Sequence, residues 1–264
     1  MNQSKTEKKP EAIITLHSVT MTRGGKEVLH DISWTTRQDE HWFIMGNNGS
    51  GKTTMMEVIM GYLWPQSGSV DVLGNRFGQV YLQELRRKIG YVSPWIFKHL
   101  SDHVPVEDVV ASGTDASVGY YSELTPALLR RIRAQLDFFH CSDLMERRFG
   151  TLSSGQQLKV ILARSLINDP DIMILDEPFS LLDIGSRMSM YRYIERLCRK
   201  EKGPQVLLVT HHLDDIISPF SHGLLMKEGR VFYQGRRDEA LQGKRLAKAF
   251  DLNDDILQGA EQPK

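Results

Sequence analysis

The sequence predicts an α/β fold: a mainly parallel sheet, an antiparallel β portion on the N-terminal side, and a helical subdomain. Three observations predict it. Two apolar runs, 13–19 and 28–34, flank a Gly24-Gly25 turn and read as an antiparallel pair. In the second half, short apolar runs alternate with helical stretches, the pattern of parallel strands covered on both faces. Between Pro94 and Pro170 the pattern is helical throughout.

The elements follow in order. Residues 41–45, His-Trp-Phe-Ile-Met, form a short buried strand. A glycine-rich loop follows, and 53–61 reads as a helix closed by Gly61. Residues 68–74, bounded by glycines, and 89–93 are further strands. Residues 126–139 place apolar side chains at 128, 129, 132, 136 and 139, one helical face started by Pro126. A helix at 158–167 stops before Asn168-Asp169-Pro170. Then come a strand at 172–175, a helix at 186–200, a strand at 206–210, a short helix at 213–217 and a hairpin at 223–234 turning at Glu228-Gly229-Arg230.

A chain of 264 residues accommodates one large α/β domain, or a core with a smaller subdomain. The expected division is a disordered tail over 1–10, a single domain over 11–250 with its helical subdomain at about 95–168, and a polar tail over 251–264. Thirty-three basic residues balance 33 acidic ones, so no electrostatic footprint points to nucleic acid. No apolar run approaches the ~20 residues of a spanning helix, and the polar, Lys-rich start lacks the apolar stretch of a secretory signal. Cys141 and Cys198 are isolated, which fits a reduced, cytoplasmic setting.

The chemistry begins at Gly46-Asn47-Asn48-Gly49-Ser50-Gly51-Lys52-Thr53, a match to G-x-x-x-x-G-K-[ST]. Such a loop curls around phosphate because its glycines adopt dihedrals closed to other residues. Its N–H groups and those of the following helix, Thr54 included, then point at the anion. Lys52 reaches the terminal phosphates and the Thr53 hydroxyl is a ligand for Mg²⁺. Strand, loop and helix in register predict a phosphate-loop NTPase core. Downstream, the strand at 172–175 ends in Asp176-Glu177-Pro178. Ligands in open α/β sheets sit outside the carboxyl ends of strands, which places Asp176 to hold Mg²⁺ and Glu177 to deprotonate a water. Leu152-Ser153-Ser154-Gly155-Gln156-Gln157, read alone, is a helix cap as readily as an anion site.

Residues 46–53, then Leu152-Ser153-Ser154-Gly155-Gln156, then Leu175-Asp176-Glu177-Pro178, then Ser180-Leu181-Leu182-Asp183, then Thr210-His211 together resemble the ordered motifs of the ATP-binding-cassette (ABC) ATPases. The resemblance covers about 13–235, and the Leu-Ser-x-Gly-Gln signature separates this family from other phosphate-loop NTPases. It implies two cassettes, as a homodimer or a mixed pair, joined head to tail. Each ATP then lies between the phosphate loop of one and the signature of the other. By the same resemblance Ser153 and Gly155 contact the γ-phosphate bound opposite, with Ser154 and Gln156 completing the signature. Glu177 is the catalytic base, His211 the switch histidine, and Asp183 lies in the loop linking the two sites. His212 is a bystander. The resemblance further implies an integral membrane permease as partner and a peripheral place on the inner face of the membrane.

Three positions depart from the family pattern. Arg23 stands where an aromatic usually stacks on adenine; it stacks by its guanidinium plane or is a solvated turn residue. Pro94 stands where a glutamine usually offers a metal ligand and a link to the membrane partner. Ser154 replaces a glycine. The stretch His41-Trp42-Phe43 with Gly61-Tyr62-Leu63-Trp64-Pro65 is similar to a stand-alone branch associated with molybdate transport, although packing alone explains both tryptophans. Exposed apolar groups at Trp95, Ile96 and Phe97 are expected to dock the permease. The alternative function is a soluble ABC ATPase acting on a ribosome, nucleic acid or protein complex. A cassette that binds but does not hydrolyse ATP is disfavoured by intact Glu177 and His211.

Overall fold

The computed structural model describes residues 12–120, 122–180 and 182–252; the N-terminal tail and most of the C-terminal tail lie outside them, as does Leu181. Ala12–Arg23 (β1) and Lys26–Arg37 (β2) pair antiparallel across the Gly24-Gly25 turn. Trp42–Met45 (β3) leads through the glycine-rich loop into Lys52–Ile59 (α1). Ser67–Val72 (β4) joins the free edge of β1, and Asn75–Arg76 (β5) ends that four-stranded sheet in the order β2-β1-β4-β5.

The second sheet is the functional frame. After Leu82–Arg87 (α2) comes Ile89–Val92 (β6), then a helical segment of Pro94–His99 (α3), Val106–Ala111 (α4), Pro126–Phe138 (α5) and Ser154–Leu166 (α6). The chain returns as Ile172–Asp176 (β7), Ile184–Cys198 (α7), Gln205–Val209 (β8), His222–Lys227 (β9) and Arg230–Arg236 (β10), and closes with Arg237–Ala240 (α8) and Gly243–Phe250 (α9). Strand order is β10-β9-β3-β8-β7-β6, with every pair parallel except the β9–β10 hairpin. The central strands β3, β7 and β8 and the edge strand β6 are buried at every position, as parallel strands covered on both faces must be. The two sheets meet where the His30 N–H donates to the Gly229 carbonyl at 2.8 Å and the Gly229 N–H donates to Ser50 O at 3.2 Å.

Three boundaries differ from expectation. The helix expected at 158–167 starts four residues earlier, because Ser153 and Gln156 close a reciprocal capping box that draws 154–157 into the first turn. The helix expected at 186–200 starts at Ile184, since the Asp183 carboxylate caps it. The helix expected at 213–217 is one 3₁₀ turn, Leu213–Asp215, because the Asp215 side chain is taken up by tertiary partners. Among the described residues no helix is long and apolar enough to cross a membrane.

The expected docking patch at 95–97 is also corrected. Trp95 is 53% exposed, but Ile96 is only 3% exposed and Phe97 is half-buried. In a single helical turn the residue beside an exposed one faces the core, so three consecutive apolar residues do not share a surface.

Candidate active site

The carboxyl ends of β3, β6, β7 and β8 lie together, and each releases a chemically active residue. After β3 the loop makes two left-handed turns, Gly49 at φ 80° and Gly51 at φ 97°, which only glycine adopts cheaply. Gly51 precedes α1, so the free N–H groups of Lys52, Thr53 and Thr54 open toward the loop. The Lys52 ammonium is buried and donates to the loop carbonyls of Gly46 at 2.8 Å and Asn47 at 3.1 Å. Burial lowers its pKa, opposed by the negative charges of Glu177 and Asp176 nearby. Phosphate loop and acid pair thus form one electrostatic unit.

Asp176 ends β7 almost fully buried, and its Oδ1 has no hydrogen-bond partner among the described residues. Burial pushes its carboxyl up to about 6, partly offset by the Thr53 hydroxyl and the Lys52 charge. A buried acid with an unpaired oxygen beside a hydroxyl is the donor chemistry of a hard divalent cation. The same burial costs stability. A carboxyl raised from 3.8 to about 6 is more protonated when folded than unfolded inside that window, so stability falls as pH rises through it. Asp176→Asn should therefore stabilise the nucleotide-free protein by about 3 kcal/mol at pH 7, a gain that fades as pH falls toward 4. Thermal melts of both proteins across that range check it; a constant difference would sink the argument.

Glu177 follows with a positive φ of 48°, a costly conformation for a side chain with a Cβ and one that clusters at functional sites. Its N–H is held by the Val209 carbonyl at 2.9 Å, and its Oε1 meets His211 Nδ1 at 3.1 Å. His212 packs on His211 with ring centroids 4.0 Å apart.

A residue absent from the sequence reading organises this corner. Asp215, buried at the end of the 3₁₀ turn, accepts from Thr210 Oγ1 at 2.5 Å and from the Tyr191 hydroxyl at 2.7 Å, with an Arg187 Nη1 at 3.9 Å. It ties the His211 loop to α7. The signal in the sequence was an acid five residues beyond Thr210, but only folding brings Tyr191 and Arg187 to it. Asp215→Ala should cost about 3 kcal/mol, because it removes the acceptor of the Thr210 and Tyr191 hydroxyls. Chemical denaturation measures this, and a loss below about 1 kcal/mol would contradict the network.

The signature residues form a second group. Ser153 Oγ accepts from the Gln156 N–H at 3.3 Å and Gln156 Oε1 accepts from the Ser153 N–H at 3.0 Å. Because Ser153 Oγ accepts in this cap, its own proton is free to donate outward. Ser154 begins the helix and lines a cleft with Pro94, Phe97, Gln157, Glu177 and Ser180. Asp183 accepts from the Ser186 N–H at 2.9 Å and the Ser186 hydroxyl at 2.7 Å, which hold its carboxyl below the ordinary range. A Cβ on Gly155 would lie 2.8 Å from that same Ser186 hydroxyl. Gly155 therefore lets the start of α6 seat on the start of α7, coupling the signature to Asp183.

Arg23 is held against α1, the helix that follows the phosphate loop. Its Nη1 pairs with Glu57 Oε2 on α1 at 3.2 Å, a role that sequence reading did not anticipate.

The comparisons bear on this geometry. A family profile described as ABC transporter matches residues 29–180. The chain belongs to the ABC transporter family. Its relatives include an uncharacterized ABC transporter ATP-binding protein, YlmA of Bacillus subtilis, 35% identical over 95% of this chain and 96% of the relative. The zinc import ATP-binding protein ZnuC of Yersinia enterocolitica is 30% identical over 82% of this chain and 77% of its own. The thiamine import ATP-binding protein ThiQ of Shigella sonnei is 30% identical over 84% and 97%. Among solved structures, the dimeric bacterial cassette MJ0796 superposes with TM-score 0.73 at 25% identity, covering 85% of this chain and 98% of that one. As a member of this family the protein is an ATP-binding ATPase with a phosphate-loop NTPase core.

Proposed function

We propose that this ATPase powers transport through a separate integral membrane permease, acting as a head-to-tail pair of cassettes and lying on the inner face of the membrane through that partner. The observation that carries the hydrolytic half is the Glu177–His211 contact at 3.1 Å, beside a phosphate loop whose lysine senses the same acid. Glu177 takes the proton of the attacking water. His211, with Nδ1 on Glu177, leaves its Nε2 edge for the γ-phosphate. Lys52 and the N–H groups of residues 46–54 bind the phosphates, Gly46, Asn47, Asn48, Gly49, Ser50 and Gly51 shaping the cradle. Thr53 and Asp176 hold Mg²⁺, which neutralises phosphate charge when bound. Ser153, Ser154, Gly155 and Gln156 face the γ-phosphate of the opposite cassette, with the Ser153 proton and the first-turn N–H groups as donors. Asp183 reports between sites through Ser186. Arg23, held by Glu57 on α1, stands at the adenine position and offers its guanidinium plane there.

Transport is supported by the import proteins among the relatives and by the dimeric state of MJ0796. Exposed Trp95, stacked on His99 at 4.1 Å, is the anchor expected to meet the permease. The test is affinity capture from native membranes with the Glu177→Gln protein and ATP. Recovery of an integral membrane protein, weakened by Trp95→Ala by about 2 kcal/mol as a central aromatic anchor would be, supports the reading. Recovery of ribosomes or nucleic-acid proteins in its place overturns the transport half and favours a soluble ABC ATPase.

A further inference from the structure

Two more buried oxygens near the site have no hydrogen-bond partner among the described residues: Ser50 Oγ, inside the phosphate loop, and Ser93 Oγ. Ser93 follows β6 directly, is 2% exposed, and its hydroxyl is buried without a hydrogen bond among the described residues. Tyr91 lies near enough for Ser93 to influence its phenol, yet the two hydroxyls do not reach bonding geometry. A buried hydroxyl left unpaired costs free energy, so its persistence calls for a ligand.

Register says where that hydroxyl is placed. β6 and β7 are parallel, with Tyr91 opposite Ile174 and Val92 opposite Leu175. The next step sets Ser93 opposite Asp176. Opposed residues in adjacent strands share a face of the sheet. Tyr91, two residues before Ser93 and so on the same face, feels the charges of Asp176 and of Glu57 on α1. Ser93 therefore lies on the α1 side of the sheet, the face that also carries Asp176, whose carboxyl feels Thr53. Its neighbour Pro94 begins α3 and carries no donor atom.

We propose that Ser93 Oγ is an oxygen donor to the Mg²⁺ of the bound nucleotide, alongside Thr53 and Asp176. The inference rests on the Mg²⁺–ATP reading above and extends it to a residue that no motif names. Two unpaired buried oxygens on neighbouring strand ends then have one explanation: both await the same cation. A hydroxyl is a neutral hard donor, suited to Mg²⁺ beside a carboxylate.

The test reads metal binding, not turnover. Mn²⁺ binding to the ATP complex is followed by electron paramagnetic resonance on wild type, Ser93→Ala, Ser93→Thr and Ser93→Cys, with ATP affinity in chelator as the folding control. Ser93→Ala should weaken Mn²⁺ about tenfold while metal-free ATP affinity stays at the wild-type level. Ser93→Thr keeps the hydroxyl and should restore most of the affinity. Ser93→Cys should shift preference from Mn²⁺ toward thiophilic Cd²⁺, which a purely structural role would not produce. Unchanged Mn²⁺ affinity in Ser93→Ala and no Cd²⁺ preference in Ser93→Cys overturn the assignment. Thr53→Ala and Asp176→Asn separate the two levels: if they weaken Mn²⁺ and Ser93→Ala does not, only the Ser93 role falls. If none of them weakens it, the metal reading falls with it.

Discussion

Glu177→Gln is expected to lower ATP hydrolysis by about 10²–10⁴-fold, the range of a positioned general base, while ATP still binds. The amide keeps the size and the contact with His211 Nδ1 but removes the basic oxygen that now lies 3.1 Å from that ring. Lys52 loses a nearby negative charge yet retains its two carbonyl acceptors, so the phosphate cradle persists. With hydrolysis stopped and both faces of the sandwich intact, the variant should accumulate as an ATP-held dimer. Steady-state phosphate release and size-exclusion with ATP measure the two halves. Turnover within a few-fold of wild type would remove Glu177 from the role of base.

Gly46→Ala is the second large effect, and it acts on binding. Gly46 directly follows β3, which runs parallel to β9, and a Cβ there would lie 2.3 Å from the Met226 carbonyl oxygen and 2.5 Å from Ser50 Oγ. The hydroxyl can rotate away; the backbone oxygen of a central strand cannot. The loop must move, and with it the carbonyl that holds Lys52. Overpacking of this kind costs about 1–3 kcal/mol. Carried into nucleotide binding, that is roughly a five- to 150-fold loss of ATP affinity. Gly49→Ala makes the contrast, since a Cβ there meets open space and only the left-handed φ of 80° opposes it. Titration with a fluorescent ATP analogue ranks them, and wild-type affinity in Gly46→Ala would show that the loop tolerates the displacement.

Both predictions start from motifs legible in one dimension, and so does most of the frame. Residues 46–53 and the acid pair after 172–175 are visible because their chemistry is local. A strand end, a tight loop and a helix start occupy consecutive positions, and apolar runs bounded by glycine or proline announce the strands. Legibility ends where a short polar residue chooses between local and distant partners. Ser153 and Asp183 chose local ones and lengthened their helices toward the N-terminus. Asp215 chose distant ones, and a helix became a single turn. Arg23, read as a platform for a base or a free turn residue, found Glu57, 34 positions away. Ile96 looked like its neighbour Trp95 until packing turned it inward.

The sequence by itself determined the family and the order of the sheet-forming runs, and it named the residues proposed to touch phosphate, because each depends on contiguous residue types. Tertiary structure alone decided which side chains hold those residues in place. Thr210 is fixed by Asp215, Gly155 is required by Ser186 across a helix boundary, and β6 and β7, which lead into Ser93 and end at Asp176, are aligned by a register joining positions 83 residues apart. Such pairings arise from chain closure and burial, which bring together polar groups whose separation along the sequence carries no local signal.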